Sequence, residues 1–137
     1  MTDTEVADLC ARAFPKGTRT WTADAIGQTR SAPGAIFVTE GPALALGRVA
    51  AGEAELFLIV TDPDAQRQGH AARCLSAFEM ACRAVGAELV HLELRASNTA
   101  AYALYEAAGY RRVGERPNYY PTSDGGREAA VLMQKRF

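Results

Sequence analysis

The chain has few cysteines, no large excess of charge of either sign and no long apolar run. Each of these absences excludes a class of protein. Its 3 cysteines are Cys10, Cys74 and Cys82. Their odd number and wide spacing fit neither a disulfide framework nor a zinc knuckle. Cys74 and Cys82 fall in one predicted helix, where core packing is the expected role. With a formal net charge of −1, the chain lacks the excess of basic residues that non-specific nucleic-acid binding requires.

No apolar segment approaches the length needed to cross a membrane, and no membrane partner is expected. The acidic start, MTDTE, is not followed by the apolar core of a signal peptide. These features predict a protein of the reducing cytoplasm. A length of 137 residues with 48% hydrophobic and 23% charged residues is typical of one globular domain. Residues 1–137 are therefore expected to form a single domain.

Hydrophobic periodicity predicts the order α-α-β-β-β-α-β-α-β-β. The predicted helices cover 4–14 (ended by Pro15 and Gly17), 22–29, 71–85 and a segment capped by Ser97 or Asn98 that runs to 108; the predicted strands cover 35–39, 43–51, 54–60, 88–94, 110–114 and 127–137. The first three strands are expected to form an antiparallel meander. The strand–helix–strand unit around Gly69 predicts a right-handed crossover between parallel strands. The predicted fold is α/β (α+β), a mixed central sheet with helices on both faces.

A short polar turn between a strand and a helix carries the most informative motif. Residues 66–71 read QRQGHA, which is Q-x-x-G-x-A. Glycine lets the backbone approach a ligand closely, and the free N–H groups and dipole of a helix start can hold a pyrophosphate. Arg67 adds donors that suit phosphate oxygens. Taken alone, the hexamer is equally consistent with an ordinary strand-to-helix turn.

Three features together resemble the GNAT acetyltransferases. The hexamer matches that family's Q/R-x-x-G-x-G/A signature, and the order of elements matches its fold. Residues 92–110, LELRASNTAAYALYEAAGY, end in the A-x-x-L-Y-x-x-x-G-F/Y motif. Residues 118–128, NYYPTSDGGRE, narrow the resemblance to the RimI-like branch, which acetylates the N-terminal alanine of a ribosomal protein. The resemblance implies the GNAT fold, acetyl-CoA as co-substrate, no metal, and a peptide N-terminus as acceptor.

The resemblance also implies two catalytic residues. In the family a glutamate of the L-E-x-R-x-S-N run serves as base and the tyrosine of A-L-Y as acid, which correspond to Glu93 and Tyr105. Strand alternation leaves an alternative for Glu93, an ion pair with Arg95 or with a basic residue on the next strand. Glu53 and Glu55 are the alternative bases. Tyr105 also fits the role of a core aromatic residue.

The remaining implied residues bind the cofactor or the acceptor. Backbone N–H groups at the end of a strand would polarise the thioester carbonyl, the polar turn would hold the pyrophosphate, and two tyrosines in the loop before the last strand would form walls of the peptide groove. The residues implied to polarise the carbonyl are Ile59, Val60 and Thr61. Those implied to hold the pyrophosphate are Arg67, Gln68, Gly69, His70, Ala71 and Ala72, and the two groove tyrosines are Tyr119 and Tyr120. Asn98 is expected both to cap a helix and to contact the cofactor.

Two other functions remain open. A GNAT enzyme that acetylates a small-molecule amine fits the same motifs, because a fold does not determine its substrate. A non-catalytic module that binds acyl-CoA or a protein partner is the third hypothesis. The joint presence of Glu93 and Tyr105 argues against that third hypothesis. No metal site is predicted, because neither His70 nor His91 has a second ligand at a suitable spacing.

Overall fold

The computed structural model describes residues 1–15 and 21–137. In chain order the elements are α1 (Asp3–Ala13), α2 (Ala23–Ser31), β1 (Ala35–Glu40), β2 (Ala43–Ala50), β3 (Glu53–Thr61), a 3-10 turn (Pro63–Ala65), α3 (His70–Ala84), β4 (Leu89–Arg95), α4 (Thr99–Ala107), β5 (Arg111–Pro121) and β6 (Arg127–Arg136). The predicted order of helices and strands is confirmed. Gly17, predicted to help end the first helix, lies outside the described residues.

Side chains cap three of the four described helices, α1, α2 and α4. Thr2 and Glu5 form a reciprocal capping box on α1, with bonds of 3.0 and 3.1 Å between each side chain and the other's backbone N–H. Thr22 caps α2, and Asn98 caps α4 by accepting from the Ala101 N–H at 3.1 Å. None of the described helices is long and apolar enough to cross a membrane.

The six strands form one sheet in the order β1-β2-β3-β4-β6-β5. The first three strands are an antiparallel meander. The chain then crosses through α3, and β4 lies parallel to β3. The predicted meander and the predicted crossover between parallel strands are therefore confirmed. Strand β6 inserts between β4 and β5 and runs antiparallel to both.

Two apolar clusters hold the helices on opposite faces of the sheet. On the first face, α1 and α2 pack on β2 and β3; the buried residues are Val6, Leu9, Cys10, Ile26, Leu44, Leu46, Leu58 and Val60. On the second face, α3 and α4 pack on β2, β3, β4 and β6, with Phe78 completely buried at the centre. The predicted mixed sheet with helices on both faces is confirmed.

A β-bulge at Phe57 changes which face β3 presents. Leu46 pairs with Leu58, but the next residue, Gly47, pairs with Leu56, so Phe57 has no partner on β2. The buried residues before the bulge, Ala54 and Leu56, face α3, whereas Leu58 and Val60 after it face α1 and α2, a switch that strict alternation would not allow. Gly47 leaves room for Phe78, because a Cβ there would lie 2.5 Å from its ring.

Strand β5 is longer than predicted. The sequence predicts a strand only over 110–114, whereas β5 runs to Pro121. Tyr119 and Tyr120 therefore lie in a strand and not in a loop, which corrects the prediction. Pro117, which lacks a backbone N–H, and the polar residue Asn118 hid this continuation. They are tolerated because β5 is the edge strand and its pairing with β6 is irregular between Arg116 and Tyr120.

The three cysteines are buried and form no disulfide. Burial raises the pKa of the Cys10 and Cys74 thiols to about 11 and that of the Cys82 thiol to about 12. These thiols stay protonated at neutral pH and are poor nucleophiles. Cys74 and Cys82 pack on the inner face of α3, as predicted.

Candidate active site

Strands β3 and β4 separate soon after they meet, and this strand opening is the candidate active site. Only residues 53–55 of β3 pair with residues 89–91 of β4. Beyond that point β3 follows β2 as far as Thr61, while β4 follows β6 as far as Arg95. The carboxyl ends of the two parallel strands therefore diverge. In open α/β sheets, ligands bind at such carboxyl ends.

Backbone donors line the β3 side of the strand opening. Ile59, Val60 and Thr61 pair with β2 on one edge, and β4 is not paired with them on the other. Because successive N–H groups of a strand point to opposite edges, alternate N–H groups of this segment face the opening. Such donors can polarise a carbonyl oxygen placed there.

The polar turn delivers a helix start with free backbone donors. Gly69 is the N-cap of α3 at φ 79° and provides no side-chain cap. The first helical bond runs from the Arg73 N–H to the Gly69 carbonyl at 3.2 Å. The N–H groups of His70, Ala71 and Ala72 therefore lack intrahelical acceptors, and the positive end of the helix dipole lies beside them. This arrangement is suited to an anionic ligand such as a pyrophosphate.

Two arginines flank this helix start. Arg67 is exposed and occupies the left-handed region at φ 64°. Arg73 donates to the Gln68 carbonyl at 3.1 Å and to Nδ1 of His70 at 3.0 Å. His70 is the first residue of α3. Because a guanidinium can only donate, Nδ1 of His70 accepts this hydrogen bond. Sequence reasoning missed Arg73, although its position three residues after His70 puts both on one helix face.

Glu93 lies on the face of β4 opposite α3. Its neighbours Leu92 and Leu94 are buried in the α3 cluster, so strand alternation turns Glu93 the other way, as predicted. One carboxylate oxygen lies 3.5 Å from Nε of Arg116 on β5, and the Glu93 side chain is 33% exposed. The alternative of an ion pair with a basic residue of another strand is therefore realised. The carboxylate nevertheless remains accessible.

The alternative bases lie where the strands are still paired. Glu55 is half-buried and Glu53 is exposed, and both precede the bulge on β3. Glu55 pairs with His91 at the last paired position, on the same face as Glu93 by alternation. Glu53 lies two residues further from the opening. The geometry thus favours Glu55 over Glu53 as the alternative to Glu93.

Tyr105 lies on the other face of the sheet, in the apolar cluster that α3 and α4 share. Its ring is tilted by 59° against that of Tyr110, with centroids 5.7 Å apart. Burial raises the pKa of Tyr105 well above that of a free phenol, so the residue is protonated at neutral pH. Within the described residues no side chain or backbone group bonds to its hydroxyl, and no fully enclosed polar side-chain atom lacks a partner. The hydroxyl is therefore not fully enclosed, although Tyr105 as a whole is only 6% exposed.

The structure thus separates Glu93 and Tyr105 by the thickness of the sheet. Tyr105 is on the α3 side, and Glu93 is on the side that Arg116 covers. The two side chains are not in contact with each other.

The two predicted groove residues, Tyr119 and Tyr120, stack edge to face with centroids 5.0 Å apart. The Arg116 guanidinium lies 5.6 Å from the Tyr119 ring, and the Arg95 guanidinium lies 4.7 Å from the Tyr120 ring. Arg116 therefore touches both Glu93 and a tyrosine. Sequence reasoning missed Arg116, because β5 was predicted to end before it.

Arg95 is held by Glu128 and not by Glu93. It donates to a Glu128 carboxylate oxygen at 3.4 Å and to the Pro121 carbonyl at 2.9 Å. The other Glu128 oxygen accepts from the Ser97 N–H at 2.9 Å. Hydrogen bonding by Ser97 and the nearby Arg95 lower the pKa of Glu128. Sequence reasoning missed Glu128, whose partners lie about thirty residues away in the chain.

A separate cleft of about 310 Å³ lies between α1 and the turn before β2. Its acidic lining includes Glu5, Asp8 and Asp62, and none of the predicted site residues lines it. Asp62 pairs with Arg12 at 3.1 Å. Among residues 1–15 and 21–137, no group of three His, Cys, Asp or Glu side chains is arranged as metal ligands.

Comparison with known families agrees with this geometry. The model of the acetyltransferase (GNAT) family matches residues 15–110. This chain belongs to the GNAT acetyltransferase family. The predicted GNAT fold and the resemblance to its RimI-like branch are both confirmed.

Several relatives are named as ribosomal protein bS18-alanine N-acetyltransferases. The chain is 42% identical over 91 residues to the ribosomal protein bS18-alanine N-acetyltransferase of Haemophilus ducreyi and 46% identical over 91 residues to that of Escherichia coli K12. Each match covers 66% of this chain, but only 63% and 61% of those relatives. The crystal structure of the E. coli ribosomal-protein-S18-alanine N-acetyltransferase superposes with a TM-score of 0.84 at 34% identity, covering 96% of this chain and 84% of that one.

Replacing Gly69 with valine is expected to weaken acetyl-CoA binding. A side chain there would occupy a left-handed backbone position and lie 2.9 Å from the Arg73 guanidinium, in the path of a ligand approaching the helix start. We expect a rise in Kd of at least about 10-fold, equivalent to about 1.4 kcal/mol, measured by calorimetry.

Gly86→Val is the matched control for this experiment. Gly86 lies beyond the other end of α3 at φ 92° with open space around it, so it tests the same backbone strain away from the ligand. Both variants should lose similar thermal stability, and only Gly69→Val should lose affinity. Normal binding by folded Gly69→Val would contradict the pyrophosphate assignment.

Proposed function

We propose that this chain transfers the acetyl group of acetyl-CoA directly to the N-terminal α-amine of a protein that begins with alanine. The strand opening carries the proposal, because it has the free helix start of α3 on one side and the accessible Glu93 carboxylate on the other. The identity to bS18-alanine N-acetyltransferases supports a ribosomal protein as the acceptor.

Acetyl-CoA fits the residues around the opening. The N–H groups of residues 70–72, with Arg67, Gln68 and Gly69, would hold the pyrophosphate. Asn98 caps α4 and would also contact the cofactor. When bound, acetyl-CoA supplies an acyl group activated as a thioester. Free N–H groups of residues 59–61 would stabilise the negative charge that develops on the thioester oxygen.

Glu93 handles the proton of the attacking amine. A peptide α-amine has a pKa of about 7.7–8, so part of it is neutral at physiological pH. As the amine nitrogen forms its bond to the acyl carbon, it must lose a proton. Glu93 accepts that proton directly or through a water. Arg116, 3.5 Å away, holds the carboxylate in place by an ion pair.

Tyr105 provides a proton on the opposite side. When the carbon–sulfur bond breaks, the departing thiolate has a basicity similar to that of a cysteine thiolate, with a pKa of about 8.5. The Tyr105 hydroxyl donates its proton to the sulfur. The proton released to Glu93 and that given by Tyr105 balance over one turnover.

The acceptor approaches from the Glu93 face. Tyr119 and Tyr120 present flat aromatic surfaces there, fixed by Arg116 and Arg95. Such walls suit the backbone of a peptide. A ribosomal acceptor would place the reaction in the cytoplasm, in line with the cysteine usage of the sequence. Residues 1–137 would act as one domain.

Tyr105→Phe removes the proton donor and keeps the ring, so packing should change little. General-acid catalysis contributes about 10²–10⁴-fold. We expect kcat to fall within that range while the Kd for acetyl-CoA stays nearly unchanged, measured by steady-state kinetics and calorimetry. Tyr102→Phe, on the same helix but half-buried, serves as control. A wild-type kcat for Tyr105→Phe would reduce Tyr105 to a packing residue.

Glu93→Gln keeps the shape of the side chain and removes the base. The kcat/KM for a peptide acceptor should fall at neutral pH, and the loss should shrink as pH rises above about 8, where the amine is already neutral. Pre-steady-state or steady-state rates between pH 6.5 and 9.5 measure this. Glu55→Gln is the control, and full activity of Glu93→Gln with loss in Glu55→Gln would move the base to β3.

A panel of acceptors tests the proposed substrate. Peptides with a free N-terminal alanine should be acetylated. The same peptides blocked at the N-terminus but carrying lysine should not, because a lysine amine with a pKa of about 10.4 is almost wholly protonated at neutral pH. Equal turnover of the blocked peptides would refute the N-terminal specificity. Turnover of small amines alone would favour the small-molecule alternative.

A further inference from the structure

Glu79 on α3 is the most enclosed carboxylate that forms an ion pair in the described chain, and the proposed reaction does not use it. Its side chain is 12% exposed. One carboxylate oxygen accepts from the Tyr110 hydroxyl at 2.8 Å, and the other accepts from Nζ of Lys135 at 2.9 Å. These two bonds join α3, the segment after α4, and β6.

Such a network is costly to keep for stability alone. Withdrawing a carboxylate and an ammonium from water carries a desolvation cost that their attraction often only offsets, and apolar residues of similar volume can replace such pairs without loss. Glu79 follows Phe78, a buried member of the α3 cluster, in the chain. Its directional bonds instead fix the position of one particular ring, that of Tyr110.

Tyr110 in turn fixes Tyr105 in two ways. Its ring packs at 59° against the Tyr105 ring with centroids 5.7 Å apart. Its backbone N–H donates to the Tyr105 carbonyl at 3.0 Å. Gly109 at φ 97° allows this tight return of the chain after α4. A Cβ atom at position 109 would lie 3.5 Å from the Lys135 side chain.

Glu79 also belongs to the helix that presents the pyrophosphate-binding residues. Helix α3 is continuous from His70 to Ala84, so Glu79 has a fixed relation to the N–H groups at its start. The path Glu79–Tyr110–Tyr105 therefore links the start of α3 to the Tyr105 ring through hydrogen bonds and ring packing. A rigid link of this kind sets the distance between the bound thioester and the phenol.

We propose that Glu79 and Tyr110, with Lys135 holding the carboxylate, are positioning residues that hold the Tyr105 phenol in register with the cofactor bound at α3. This inference rests on the proposed role of Tyr105 as the acid. Positioning has a measurable consequence. A distant mutation that displaces a reacting group by about 1 Å can reduce the rate by about 10²-fold.

Tyr110→Phe deletes one hydroxyl and keeps the ring, so it is the primary test. We expect kcat to fall by about 10-fold to 10²-fold, with the KM for acetyl-CoA nearly unchanged, at a temperature well below the melting point of each variant. Glu79→Ala should likewise lower kcat and leave the KM for acetyl-CoA nearly unchanged. Arg30→Gln, which breaks the Arg30–Asp3 bridge on the opposite face, controls for loss of an ion pair and should retain its kcat.

The double variant Tyr105→Phe/Tyr110→Phe decides whether Tyr110 acts through Tyr105. If it does, the kcat of the double variant equals that of Tyr105→Phe alone, because the positioned group is already gone. Multiplicative losses, or a wild-type kcat for Tyr110→Phe with only a lower melting temperature, would overturn the proposal. A wild-type kcat for Tyr105→Phe would instead refute the proposed acid, which distinguishes the two failures.

Discussion

The early end of the pairing between β3 and β4 is the constraint on which the candidate site depends. Each strand stays bonded to its outer neighbour, β3 to β2 and β4 to β6, while their shared edge opens after residue 55. Backbone N–H and C=O groups at such an edge need partners from water or a ligand. The bulge at Phe57 lets β3 serve both apolar clusters while its end diverges from β4. The opening is therefore part of the fold.

The two sides of this opening differ in chemistry. The α3 side is apolar and raises the pKa of the Tyr105 phenol, which keeps its proton in place. The other side carries paired charges, Glu93 with Arg116 and Arg95 with Glu128. Ion pairs near the surface are individually weak, so the partially exposed Glu93 is only loosely held by Arg116. This asymmetry is consistent with the proposed function, in which the acceptor enters from the Glu93 face and the thiol leaves on the other.

Local patterns made much of the fold predictable, and long-range pairing limited the rest. The cap at Asn98, the crossover around Gly69 and the face assignment of Glu93 all followed from residues a few positions apart. Arg116 and Glu128 were missed because their roles depend on how β5 and β6 pair, which the polar stretch around Pro117 concealed. The same stretch led to Tyr119 and Tyr120 being placed in a loop. The roles of the predicted site residues stay predictions.

The sequence by itself determined the order of the elements, the free helix start after Gly69 and the motifs that identify the family, because these depend on short-range spacing and periodicity. Only the tertiary structure decided where β3 and β4 part, that Glu93 and Tyr105 lie on opposite faces, and that Glu79 reaches Tyr110 and Lys135. Those outcomes arise from strand register and from the packing of helices on a twisted sheet. They join residues far apart in the chain, for which no local pattern carries information.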